Sequence, residues 1–126
     1  MNLKDIISRL DINADWVGLR EYKENTTYHV IRDKNPLSND TSIDHGVMVE
    51  ALKDGQFGYS GTSDLSFDGI NKAAKLALDN ASKASKHSIF SFNSDVRPNS
   101  QGSYETPLAL PFDSLSAGEI NNILMK

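Results

Sequence analysis

A hairpin that runs straight into a long amphipathic helix constrains this chain more than any other stretch. From Ser42 to Ala84 it reads S-I-D-H-G-V-M-V-E-A-L, a D-G turn, Q-F-G-Y-S-G-T, then S-D-L-S-F-D-G-I-N-K-A-A-K-L-A. Val47, Val49 and Ala51 alternate with Met48, Glu50 and Leu52, the period of a strand from Ser42 to Leu52. Asp54-Gly55 favours a tight turn with positive φ, so Gln56–Ser60 is expected to return as the second arm of a hairpin. Asp64 or Ser66 then supplies a side chain that accepts from the orphan amides of a helix start. Asp68 suits the positive end of that helix, and Lys83, Lys86 and His87 suit its negative end. Phe67, Ile70, Ala74, Ala77, Leu78 and Ala81 form one stripe, and its alanines predict close packing on a sheet. This helix, from Ser66 to about Lys86, is expected to be the longest element.

Upstream, Leu3, Ile6, Ile7 and Leu10 fall at helical spacing. The segment A-D-W-V-G-L-R-E-Y-K-E reads as a strand, with Val17, Leu19 and Glu21 opposite Trp16, Gly18, Arg20 and Tyr22. E-N-T-T reads as a turn into a second strand, Y-H-V-I-R-D, and K-N-P-L-S-N-D as a loop around Pro36. The expected fold is therefore α+β, a mainly antiparallel four-stranded sheet with the two helices packed on one face. Downstream, I-F-S-F has strand character, and the residues after it are rich in turn formers. Ser116 with Glu119 forms a capping box ahead of Ile120, Ile123 and Leu124. The expected organisation is an α+β domain over 1–92, an irregular connector over 93–112 and the start of a linker helix over 113–126.

Composition narrows the chemistry. A net charge of -4, with 13 basic residues scattered along the chain, argues against a phosphate-binding surface and so against direct nucleic-acid binding. No apolar run approaches the roughly 18 residues of a membrane span. The charges in M-N-L-K-D-I-I-S-R-L-D break up any export h-region, so a cytoplasmic location is expected. Zero cysteines exclude disulfides, thiolate nucleophiles and Cys-based zinc sites. His29, His45 and His87 stand far apart and outside H-E-x-x-H or H-x-H spacing. His45 draws notice because Asp44 precedes it, but neighbouring side chains on a strand point to opposite faces and make a poor dyad. Asp40, Asp44, Asp54, Asp64 and Asp68 suit turns and caps. Gly55, Gly58 and Gly61 recur without the G-K-[ST] of a P-loop, and Y-S-G-T-S lacks the spacing of a nucleophile elbow. No catalytic, cofactor-binding or metal-binding residue is assigned.

Over roughly Asp15 to Ala84 the order of elements resembles the first domain of the TldD/PmbA family. A-D-W-V-G-L-R-E-Y matches its first strand, Gly46-Val47-Met48-Val49 its G-V-x-V segment, and Gly58 through Ser66 the G-x-x-x-T/S-x-D-L-S that precedes an alanine-rich helix. Glu50 stands where the family commonly has arginine, and K-N-P-L-S-N-D replaces its second-strand turn. The resemblance implies a protein of the metallopeptidase or DNA-gyrase-modulator kind. Its zinc motif, H-E-x-x-x-H, belongs to a larger C-terminal domain of the TldD type. Zinc is accordingly implied only for a domain outside these residues, and this chain alone is expected to be inactive. The resemblance also implies protein partners: homo- or hetero-oligomers of family subunits that enclose a chamber for peptide substrates. A scaffold and partner-contact domain is the leading expectation. The alternatives are a small free-standing protein-binding or self-associating module, and an independent hydrolase built around His45.

Overall fold

The computed structural model describes residues 1–111 and 113–126 throughout, and residue 112 in its backbone. Three α-helices and three strands follow one another as α1 (Leu3–Arg9), β1 (Trp16–Arg32), β2 (Asn35–Lys53), β3 (Gln56–Thr62), α2 (Phe67–Ser85) and α3 (Ala117–Leu124), with short 3-10 turns at Ser94–Val96 and Phe112–Ser114. The chain divides into two compact units, Met1–Lys23 with Asp44–Asn99 and Glu24–Ile43 with Ser100–Lys126.

The fold is α+β, but the sheet has three strands in the order β1-β2-β3, where four were expected. The difference lies in the segment read as E-N-T-T turn, strand and K-N-P-L-S-N-D loop. Thr26 and Thr27 are β-branched and continue β1 instead of breaking it. Reversal comes later, at Asp33 and Lys34, with φ of 50° and 62°. Two consecutive positive-φ residues give the twist of a type I′ hairpin, and Asp tolerates that region better than most residues. Pro36 lies inside β2. There β3 is absent, since it pairs only with Val47–Lys53, so the missing proline donor interrupts no central ladder.

In the first unit β2 and β3 pair antiparallel, with Val47 opposite Thr62 and Lys53 opposite Gln56. The turn between them is the expected one, with positive φ at Asp54 and Gly55. α2 begins where predicted, the Ser66 hydroxyl accepting from the Gly69 amide at 3.1 Å. It has 19 residues, which equals β2's 19 and does not exceed it. Its buried side is Gly69, Ile70, Ala73, Ala74, Ala77 and Ala81. These meet Val47, Val49 and Ala51 of β2 and Ile6 of α1 in one cluster, so both helices lie on the same face of the sheet. Leu10, Ile12, Val17 and Leu19 pack around it.

The approach of α2 to β3 is close enough to exclude any side chain at Gly58. A β-carbon there would fall on the Ala77 carbonyl oxygen and the Ala81 amide nitrogen. The I-F-S-F segment forms no strand. It makes one ladder-like bond, from the Phe92 amide to the Gly55 carbonyl at 2.8 Å.

In the second unit the two strands are joined by side chains across the hairpin, Thr27 to Thr41 at 3.2 Å and His29 Nδ1 to Asn39 Oδ1 at 2.8 Å. α3 opens on the expected capping box, Ser116 accepting from the Glu119 amide while the Glu119 carboxylate accepts from Ser116. No helix among the described residues is long and apolar enough to cross a membrane.

Candidate functional site

Alternation along β1 and β2 sorts the sheet into a helix-covered face and a second face. The second face carries Trp16, Gly18, Arg20 and Tyr22 from β1, Met48 and Glu50 from β2, and Phe57, Tyr59 and Gly61 from β3. One end of it is built over by residues 88–99. Phe57 meets Trp16 edge-on at 6.1 Å between centroids and Phe92 at a tilt at 5.7 Å, and Phe90 meets Phe92 edge-on in turn. Arg97 lies 5.2 Å over the Phe57 ring and donates to Glu50 at 3.0 Å. The Trp16 indole donates to Asn99 at 3.3 Å. Gln56 donates to Ser88 at 2.6 Å and to the Phe90 carbonyl. Leu52, on the same side as Glu50, is 2% exposed although it lies outside the helix-side cluster.

That corner has its own electrostatics. Burial, and then the Glu50 carboxylate beside it, push the Tyr59 phenol above its ordinary 10.0. The same carboxylate holds the Arg97 guanidinium more firmly protonated.

The other end is open. A groove of about 410 Å³ is lined by Arg20, Tyr22, Asp44, His45, Val47, Met48, Thr62 and Ser63, with Gly46 and Gly61 contributing only backbone. Tyr22 is 51% exposed and Met48 40%. The lining is mostly apolar, and the ionisable groups along it are Arg20, Asp44 and His45.

His45 does not pair with Asp44. Its Nε2 lies 2.9 Å from Glu21 Oε1, across from β2 to β1. A carboxylate can only accept, so Nε2 carries the proton. Glu21 was placed on the Val17–Leu19 face by alternation. Its pairing with His45 could have been found by matching that parity with the odd positions of β2.

The His45 hydrogen bond is the main reason the Glu21 carboxyl sits below its ordinary 4.5, with the chain's amino group and Lys23 adding smaller pulls. A depressed carboxyl contributes stability above the unfolded value, and that contribution is lost as pH falls through the folded one. Wild-type protein is therefore expected to lose more melting temperature between pH 7 and pH 3 than Glu21→Gln does. Parallel melting curves for the two proteins would remove this pair from the account of acid stability.

The remaining residues of interest do not converge. His29 is bound to Asn39, and His87 follows the end of α2. Asp40 accepts from Ser38. Asp54 occupies the hairpin turn, where its amide donates to Asp15 at 2.9 Å. Asp64 accepts from the Ser66 amide at 3.0 Å, and its bonds to Ser66 hold its carboxyl below 3.8. Asp68 lies in the first turn of α2. Ser63 reaches the groove, while Ser60 sits opposite Val49 in the ladder.

Among the described residues no three His, Cys, Asp or Glu side chains gather as a metal would require.

A family model described as PmbA/TldA metallopeptidase domain 1 matches residues 17–81, just over half of the chain. Neither the curated proteins nor the solved structures give a match.

Proposed function

Because this chain belongs to the TldD/PmbA family, whose first domain it contains, we propose that it serves as a scaffold and partner-contact domain of a metallopeptidase or gyrase-modulator protein of that kind. The observation that carries the reading is the uncovered part of the sheet's second face. Tyr22 is 51% and Met48 40% exposed there, and both line a groove to which Gly46 and Gly61 also contribute. Apolar surface of this sort, rimmed by polar groups, is what a second protein covers. The helix-covered face holds the domain together, and the second face is left for contact. In this reading zinc chemistry and peptide cleavage are supplied by another part of the assembly.

The test uses the purified 126-residue chain. Elemental analysis after dialysis against zinc should find no stoichiometric metal, and fluorogenic peptides should remain uncut. One zinc per chain would overturn the reading. So would cleavage that survives repurification and disappears in His45→Ala, because the groove would then be an active site.

A further inference from the structure

We infer that residues 93–99 form a strap over one end of the sheet's second face, hinged at Phe92 and latched by Arg97 on Glu50, which opens while the sheet and α2 stay folded. The inference concerns how much of that face is uncovered, and it holds whatever meets the open end.

The strap is held at its two ends by different means. Its hinge end is apolar and pinned to backbone. Phe92 packs on Phe57 at 5.7 Å, and its amide donates to the Gly55 carbonyl at 2.8 Å. Beyond it the chain enters the 3-10 turn at Ser94–Val96, where the Asn93 side chain accepts from the Asp95 amide at 3.1 Å. The Arg97 amide donates back to the Ser94 carbonyl at 3.0 Å, so the turn carries its own bonds and can move as one piece. The far end is polar. Arg97 donates to Glu50 at 3.0 Å, and Asn99 accepts from the Trp16 indole at 3.3 Å.

Between these ends the packing is loose. Every residue from 93 to 99 is exposed. A cleft of about 330 Å³ lies among Trp16, Ser94, Asp95, Arg97, Pro98 and Asn99. A segment that buries no side chain of its own opens at a small fraction of the cost of global unfolding. What holds it down is chiefly the ion pair. The Glu50 side chain is 19% exposed against 46% for Arg97, so closing the strap shelters a carboxylate under a guanidinium. An attachment made of charge is one that salt can loosen.

Trp16 does not travel with the strap. A β-carbon at Gly18 would meet its ring at 2.5 Å, so the indole is seated on β1 itself. Opening therefore bares Trp16, Glu50 and the side of Phe57 that Arg97 covers at 5.2 Å. These join Met48 and Tyr22 on the same face of the sheet. Closed, the strap keeps that end of the face out of use.

Trp16 is the chain's one tryptophan, so its fluorescence reports the strap directly. Acrylamide quenching of the full chain should rise as sodium chloride is raised from about 0.05 to 0.5 M, because screening loosens the pair. Arg97→Glu should raise the quenching constant at least about twofold at low salt and leave the far-UV circular dichroism unchanged. Its salt response should run the other way, since salt relieves the repulsion that the substitution introduces. Glu50→Arg with Arg97→Glu should restore both the shielding and the original salt response. Positions 50 and 97 meet only through the strap, so that rescue identifies the latch.

Wild-type quenching that is indifferent to salt overturns the inference, and that measurement needs no variant to fold. A double swap as quenchable as Arg97→Glu overturns it too. So does a rise in quenching that comes only with loss of the dichroism signal, because the segment would then be part of the domain's core. None of these results touches metal binding or cleavage, so the scaffold reading keeps its own separate test.

Discussion

Gly58→Ala is expected to lower the unfolding free energy by about 2–3 kcal/mol, the upper range for forcing extra atoms into a packed interior. The reason is the identity of the atoms in the way. The new β-carbon would fall on the Ala77 carbonyl oxygen and the Ala81 amide nitrogen, with the Ala81 Cα at 3.0 Å. These are helix backbone atoms, which have no rotamer to change. Relief requires α2 to back away from β3, and that withdraws Ala74 and Ala77 from the cluster they share with Val47 and Val49. Trimming Ala77 to glycine would not help, because its side chain is not the obstacle. Against a typical total of about 5–15 kcal/mol the loss is large. Urea unfolding followed by circular dichroism measures it, with Gly102→Ala as the control. Gly102 has nothing within 4 Å of its added carbon and should unfold within about 0.5 kcal/mol of wild type. A Gly58→Ala midpoint equal to the control's would mean that α2 does not depend on this contact.

The same contact shows what was legible in the sequence. Alanines at 74, 77 and 81 announced a helix lying close on a sheet, and the D-G turn announced the hairpin beneath it. What escaped was Ala73, which shares the buried side though the predicted stripe passed it by. The four-strand expectation failed for a physical reason. E-N-T-T carries polar residues that resemble a turn, but a strand paired on one side and exposed on the other tolerates them. Asp33-Lys34 has no glycine to advertise its positive φ.

The site was less legible still. Glu21 and His45 were each visible, 24 positions apart, yet only strand pairing brings them together. Arg97 on Glu50 spans 47 positions and depends on residues 88–99 folding back over Phe57. A turn-rich composition reveals nothing about such a return.

Ile70→Ala is expected to cost about 2–5 kcal/mol, the range for deleting a large buried aliphatic side chain. Ile70 is fully buried, and with Val47 and Val49 it is among the largest side chains that are. Most of its neighbours along α2 are alanines, which cannot swing into the space it leaves. A core with few large side chains concentrates the burial energy in those it has, and it relaxes poorly around a void. The cost should therefore fall in the upper half of that range. A graded series separates lost transfer energy from the cavity. Ile70→Val should cost about 1 kcal/mol, and Leu76→Ala, 52% exposed on the same helix, should stay within about 0.5 kcal/mol. If Ile70→Ala cost no more than Leu76→Ala, the α2–sheet cluster would not be the core of this domain.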